Sequence, residues 1–261
     1  MLIYYKVIFS FKIMKLLLVL TLTFRNLKSL ALKNNIFDLV NIIKKNEEIY
    51  FKLYLEIEKE RVAGIKEFKS YDYGEGYFYQ SFEKVFISGF RSTEERVLKY
   101  DLNKITKNKE ILDIGCNSAF LLLSLTGLKS AVGIDINPHL INIANITKEF
   151  LKLTNFFFFN EKIETFESKK KFDIVFSLAN HSTIDGNVNL NKNQYFSKCA
   201  SFLKKNGTLF FESHPEEIEN RMLLEETIIS IKNYFNIISI KKNNLKGFLD
   251  KKRTIIICKP K

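Results

Sequence analysis

A chain of 261 residues, 46% apolar and 27% charged, has room for one generous domain or a domain with an appendage, and is too apolar for intrinsic disorder. Ten glycines and three prolines exclude collagen-like or loop-dominated architectures. The formal charge of +12 lies at the ends: residues 1–35 hold six basic groups and no acid, residues 241–261 hold eight basic groups and one acid, and the stretch between is near neutral.

Only six of the 41 basic residues are arginine, and lysine, asparagine, isoleucine and phenylalanine are abundant, so the positive charge alone is weak support for nucleic-acid binding. Cys116, Cys199 and Cys258 are odd in number and form no CxxC, which argues against a disulfide framework and a thiolate metal site, and for a reducing compartment. Near the start, Leu16 to Phe24 is an unbroken run of Leu, Val, Thr and Phe behind Lys12 and Lys15. It is shorter than the roughly 20 apolar residues that a bilayer requires, so no stable membrane span is expected. A cleavable signal beginning at Met14 is the competing reading; Ser29-Leu30-Ala31 favours it, whereas Arg25 and Lys28 oppose it and leave a cytoplasmic protein as the expectation. Residues 1–35 are set apart as a basic, apolar leader without an assigned role.

From Ile36 to about Lys69 apolar residues recur mostly at helical spacing, predicting one long amphipathic helix with at most one break. Tyr71 to Tyr77, with Gly74 and Gly76, predicts a loop. Ser92-Thr93-Glu94-Glu95 reads as a capping box opening a helix that runs to about Ile105. Beyond Lys109 short apolar strands alternate with helices: Ile111–Ile114, Ala131–Ile134, Phe156–Phe159, Ile174–Leu178 and Thr208–Phe211. Asn137-Pro138 caps one helix, Gly207 is expected in the left-handed conformation ending the helix Lys192–Lys205, and Pro215 with Glu216 and Glu217 opens another. The four-phenylalanine strand is expected to be buried on both faces. Strands Ile237–Ile240 and Thr254–Cys258 have no helix between them and must be antiparallel neighbours. The expected fold is α/β: a doubly wound, mostly parallel seven-stranded sheet, its last strand antiparallel, with an N-terminal helical extension. Residues 36–107 are assigned to that extension and residues 108–261 to a ligand-binding domain whose site lies beyond the carboxyl ends of the strands.

Ile111 to Phe120 reads strand, carboxylate, glycine turn, helix start. Only Gly115 remains of the glycines that cradle a pyrophosphate, which makes a dinucleotide a poor fit. Asp135, at the end of the next strand, can accept from both hydroxyls of a ribose. In these segments the chain resembles the class I S-adenosylmethionine-dependent methyltransferases, over roughly residues 70–261. Asp113-Ile114-Gly115-Cys116-Asn117 is similar to that family's first motif, Gly133-Ile134-Asp135-Ile136-Asn137 to its acidic second-strand motif, and Phe172 to Ser177 to its fourth strand. Leu203 to Leu209 is similar to the turn before its fifth, and the terminal antiparallel pair is its distinguishing strand arrangement. Ala119 stands where the family usually has another glycine. Glu161-Lys162 stands where an acidic residue commonly meets the adenine.

The resemblance implies a Rossmann-like methyltransferase fold, S-adenosylmethionine as cofactor, and Asp113, Gly115, Cys116, Asn117, Asp135, Ile136 and Leu178 as residues around it. It also implies that the segment before the first strand closes over the cofactor, bringing in Tyr79, Gln80 and Arg91. Segments of this kind recur in methyltransferases of bacterial surface-glycan gene clusters and, more loosely, in tRNA-modifying relatives. Arg91 or Arg96 with Gln80 could hold the methionine carboxylate; the alternative is a lid helix with ordinary surface charges.

Methyl transfer to a hydroxyl needs a base, and His181 and His214 both follow strand ends on the expected site edge, with Glu212 beside the second. Loop hydrogen bonding is the alternative role for each histidine, and His139, inside a predicted helix, reads as structural. The two histidines with Glu212 and Asp185 could instead gather a metal, but no HxH or HxxxH pair exists and no metal is expected. Leu178 to His181 lacks the Asn/Asp-Pro-Pro-aromatic signature of exocyclic amino methylation, which favours O-methylation of a small molecule or sugar conjugate. RNA methylation and a non-catalytic cofactor-binding subunit are the alternatives. The stretch Lys241–Arg253, with six basic residues and one acid, reads either as a positive field for a phosphate-bearing acceptor or as a solvated hairpin tip.

Overall fold

A computed structural model describes residues 48–68, 78–89, 91–181, 188–214, 217, 220–243 and 253–261. The leader, the loop Tyr71–Tyr77, Pro215 and most of the loop after Lys242 lie outside these residues. Helix α1 (Glu48–Phe68) is followed by a short 3-10 turn (Glu83–Val85), α2 (Thr93–Lys99) and α3 (Leu102–Thr106). The sheet region then runs β1 (Glu110–Ile114), α4 (Phe120–Ser124), β2 (Ser130–Asp135), α5 (Pro138–Phe150), β3 (Phe156–Asn160), β4 (Phe172–Leu178), α6 (Lys192–Phe202), β5 (Leu203–Glu212), α7 (Arg221–Tyr234), β6 (Phe235–Asn243) and β7 (Arg253–Pro260). Strand order is β3-β2-β1-β4-β5-β7-β6. β7 is antiparallel to both neighbours, β5 and β6, and the pairs among β1 to β5 are parallel. The carboxyl ends of β1 to β6 therefore share one edge with Arg253, the first residue of β7.

Each face of the sheet carries its own core. On one, Phe120 to Leu123 of α4 and Ile143 and Ala144 of α5 join Phe51, Tyr54 and Ile57 of α1 and Phe78, Phe82 and Val97 of the N-terminal extension. On the other, Tyr195, Phe196 and Phe202 of α6 meet Phe211, Ile231 and Phe235. The alternation of Phe210 and Phe211 between the two clusters follows from the period of two along a strand. α1 docks on α5 where Gly64 meets His139: a Cβ there would lie 3.0 Å from the histidine Cβ. His139 Nδ1 lies 2.9 Å from Glu60 and Nε2 3.3 Å from Glu67, so it joins the two helices.

Several local expectations are corrected. Ser92 does cap α2, its Oγ accepting from Glu95 N at 3.0 Å, but the helix ends at Lys99 because Asp101 turns left-handed (φ 51°) before α3 begins. α6 ends at Phe202, not Lys205, and Gly207 lies inside β5 without a left-handed φ. It is glycine for space: a Cβ would stand 2.8 Å from Leu203 Cδ2 and 3.1 Å from Phe172 O, where the β4–β5 register shifts. Only one face of β3 is buried: Phe156 and Phe158 pack into the core with Ile141, Ile143 and Ala144 of α5, while Phe157 and Phe159, on the other face, stay 48% and 45% exposed.

The amino-terminal end of the central strand β1 is held by charge. Glu110 receives Lys204 at 2.9 Å, Lys170 at 3.1 Å and Lys129 at 3.2 Å, while its backbone N–H donates to Asp173 at 2.9 Å. The Lys204 and Lys170 ammonium groups hold its carboxyl down at about 2. A depressed carboxylate stabilises the fold fully above its ordinary 4.5, and that contribution is lost as pH falls from there toward 2. Glu110→Gln is expected to lower the melting temperature at pH 7 by about 2–4 °C, since the lysines are partly solvated, and to change it little at pH 2. Thermal unfolding of both proteins across that range measures it.

Candidate functional site

Strand β1 ends in a turn with three residues in the left-handed region: Gly115 (φ 68°), Asn117 (φ 55°) and Ala119 (φ 55°). Cys116 N donates to Ile134 O at 3.0 Å, which holds the turn against β2. Asp135 fixes the turn from that neighbour: its Oδ2 accepts from Asn117 N and its Oδ1 from Asn137 N, both at 2.9 Å. Asn137 in turn caps α5 through His139 N at 3.0 Å. Asp135 and Ile136 remain partly exposed, whereas Cys116 is 1% exposed and burial, followed by Asp135 and Asp113, pushes its thiol far up. Cys116 therefore packs as a small apolar group.

The room given by Gly115 goes to a side chain that the sequence reading did not single out. Asn180, after β4, fills it: a Cβ on Gly115 would lie 2.7 Å from Asn180 Nδ2. That amide donates to Ile114 O, and its oxygen accepts from Ser177 Oγ at 2.9 Å and Tyr195 OH at 2.8 Å. The β1 and β4 turns are thus joined, with Ala179 (φ 57°) between Leu178, the last residue of β4, and Asn180.

The N-terminal strip lies across this edge. Arg91 N donates to Tyr79 O and Ser81 N to Arg91 O, each at 2.9 Å, and the Arg91 guanidinium sits 5.7 Å from the Tyr79 ring centroid. Gln80, 7% exposed, accepts from Leu121 N at 3.2 Å and so satisfies a first-turn donor of α4. Phe78 and Phe82 stack on Phe120 at 5.8 and 5.4 Å.

At the end of β5, Glu212 is wholly buried and both oxygens are engaged: Oε1 by Arg96 Nη2 at 2.7 Å and Oε2 by Tyr100 OH at 3.2 Å. Arg96 is 2% exposed, which overturns the alternative of an ordinary surface charge, and against the pull of burial Glu212 raises its pKa. Arg253 is 4% exposed at the start of β7, so it is no part of a solvated hairpin tip. Residues 244–252 of that stretch lie outside the described residues.

The two candidate histidines separate. His181 is buried on the α6 face, its ring 4.8 Å from Phe211 and Nε2 2.9 Å from Glu217 Oε1. Thr227 Oγ1 also donates to Glu217, which further accepts from His214 N at 2.8 Å. Burial pushes the Glu217 carboxyl up, but these donors, His181 foremost, hold it below its ordinary value. His214 is partly exposed on the shared strand edge. Among the described residues no three His, Cys, Asp or Glu side chains gather as a metal cage, and no helix is long and apolar enough to cross a membrane.

Residues 105–253 match the family described as a methyltransferase domain. Among solved structures, the chain is similar to the N-methyltransferase NodS from Bradyrhizobium japonicum WM9 (16% identity, TM-score 0.50, 64% of this chain and 95% of that one). With S-adenosyl-L-homocysteine bound, NodS aligns at 14% identity and TM-score 0.52 over 82% of this chain and 99% of its own. An S-adenosylmethionine-dependent methyltransferase from Clostridium acetobutylicum aligns at 14% and 0.50, over 64% and 90%. At these identities the likeness is one of fold. No curated protein sequence matches the chain.

Asp113, 3% exposed, has its carboxyl raised to about 8 by burial, with Asp135 adding to the rise and Arg96 opposing it. Between its ordinary 3.8 and about 8 the unfolded chain loses this proton while the native state keeps it, so this group's contribution falls as pH rises through that window. Asp113→Asn is therefore expected to gain stability relative to wild type on going from pH 4 to pH 8, on the order of 5 kcal/mol. Denaturant titrations at the two pH values test the sign.

Proposed function

The chain belongs to the methyltransferase-domain family, and from that membership we propose that it moves a methyl group from S-adenosylmethionine to a hydroxyl of a small molecule or sugar conjugate in the cytoplasm. The observation that carries this reading is Asp135, its two oxygens oriented by Asn117 and Asn137 N–H groups, facing a left-handed turn on the adjacent parallel strand. A carboxylate oxygen can accept more than one hydrogen bond, which suits a pair of ribose hydroxyls. Cys116, Asn117, Ile136 and Leu178 surround that place, Asp113 and Gly115 shape the turn, and Tyr79, Gln80 and Arg91 come from the strip above it. Arg91 suits the methionine carboxylate, and Gln80 sets the height of α4 beneath.

The bound cofactor supplies an electrophilic methyl on a sulfonium, displaced in line by the acceptor. The protein's work is then alignment, exclusion of water and removal of one proton. His214 is the better base, because it is partly exposed at the end of β5. His181 is enclosed by aromatic rings with Glu217 and supports the loop from below. Glu212, with both oxygens engaged, serves as the anchor for Arg96. In this division residues 36–107 act as the lid and residues 108–261 as the catalytic body. Three buried free thiols support a reducing compartment.

Asp135→Ala should weaken S-adenosylmethionine by about 1.5–3 kcal/mol, roughly 10- to 100-fold, since charge-assisted hydrogen bonds vanish. Calorimetry on the folded variant reads this directly, and an unchanged dissociation constant would take Asp135 out of the site. Labelled-methyl transfer into fractionated lysate identifies the acceptor. With it, His214→Ala should lose about 10²–10⁴ in turnover with cofactor affinity retained. Near-normal turnover would leave alignment alone to drive the reaction.

A further inference from the structure

Arg96 and Arg253 approach one carboxylate, Glu212, from α2 and from β7. Arg96 makes the close contact at 2.7 Å, whereas Arg253 Nε stands 3.8 Å away, beyond hydrogen-bond reach, and its Nη1 donates to Ser213 O at 2.9 Å. Among the described residues, Nε of each arginine is buried and has no hydrogen-bond partner. Arg96 and Arg253 are 2% and 4% exposed, so among the described residues two positive charges and one negative charge lie together away from water. Asp113, which is coupled to Arg96, is held largely protonated near neutral pH and offsets little of the excess. A buried charge left unpaired is unfavourable, and guanidinium N–H groups are built to take planar oxyanions.

The strand order gives the position. Arg253 on β7 is four strands from Asp135 on β2, about 19 Å at 4.8 Å per strand, and β1, β4 and β5 lie between. It is thus on the side of β4 away from the nucleoside end of the site.

We propose that Arg96 and Arg253 form an oxyanion subsite that takes a carboxylate or phosphate group carried by the methyl acceptor. The assignment of the ligand as acceptor rests on the methyl-transfer reading above; the presence of an oxyanion site does not. Glu212 fixes Arg96, and Arg253 supplies the charge that Glu212 leaves over.

The test uses the full chain saturated with S-adenosylhomocysteine, titrated with inorganic phosphate in one arm and malonate in the other, against sodium chloride at matched ionic strength. Thermal unfolding and calorimetry are the readouts. At least one anion should give a saturable rise in melting temperature beyond the chloride control, and the tighter of the two names the acceptor's group. Arg253→Gln should weaken that anion at least tenfold and move the S-adenosylhomocysteine dissociation constant less than twofold. Arg253→Lys, which keeps the charge but not the fork, should lose at least threefold and serves if the glutamine variant does not fold. No saturable shift with either anion, or unchanged anion affinity in the folded variant, overturns the proposal. A tenfold loss of S-adenosylhomocysteine in Arg253→Gln also overturns it, by assigning the guanidinium to the cofactor's own carboxylate. If wild type fails to bind S-adenosylhomocysteine, the methyl-transfer reading falls, while the same anion titrations without it still decide the subsite.

Discussion

A carboxylate removed from water must be neutralised by the protein itself, and Glu212 is neutralised from 116 residues away by Arg96. The pair joins the N-terminal extension to the middle of the sheet, since α2 carries the arginine and β5 the glutamate. Tyr100 adds a second attachment just past the end of α2, and its ring lies 5.5 Å from Phe210, so apolar packing and charge hold the same place. Removing one member of such a pair leaves the other buried and unpaired, a cost of about 3–5 kcal/mol in comparable cases. The extension is therefore seated on the strand edge at a fixed height, and the strip Phe78 to Arg91 that crosses the β1 turn inherits that height.

A second constraint works at right angles to the first. Asn180 and His181 are neighbours in sequence with opposite allegiances: Asn180 closes onto Gly115 and Ile114, and His181 turns into the aromatic cluster with Glu217. One short loop thus ties the β1 turn to the core under α6 and α7. The turn holds three left-handed residues, two of them not glycine, and those conformations are sustained by fixed surroundings, here Asp135, Ile134 and Asn180.

The alternation of strand and helix after Lys109, the Asn137-Pro138 cap and the antiparallel final pair were legible because each is written locally, in periodicity or in capping chemistry. The turn carrying Asp113 and the position of Asp135 were legible for the same reason. What sequence could not convey depends on contacts between distant segments. Phe157 and Phe159 differ from Phe156 and Phe158 because only the face of β3 turned toward α5 is packed. Gly207 is glycine because of a neighbouring strand's carbonyl and a leucine, which its own segment does not reveal. Arg253 looked like one more basic residue in a lysine-rich tip, and only the register of β6 and β7 takes it indoors. For Glu212 a faint signal existed, an acidic residue closing the apolar run Leu209-Phe210-Phe211, but nothing nearby named its partners.

The order in which the strands are made differs from the order in which they lie. β7 is the last of the seven to be synthesised, yet it is an interior strand, inserted between β5 and β6. Until it arrives, β5 exposes a ladder of unpaired backbone groups, β6 has no partner at all, and Glu212 lacks Arg253. A growing chain on the ribosome can assemble β1 to β5 and their helices, but it must keep that open flank from pairing with other chains until the final strand emerges. Shortening the chain by that one strand would split the sheet where its charged centre lies.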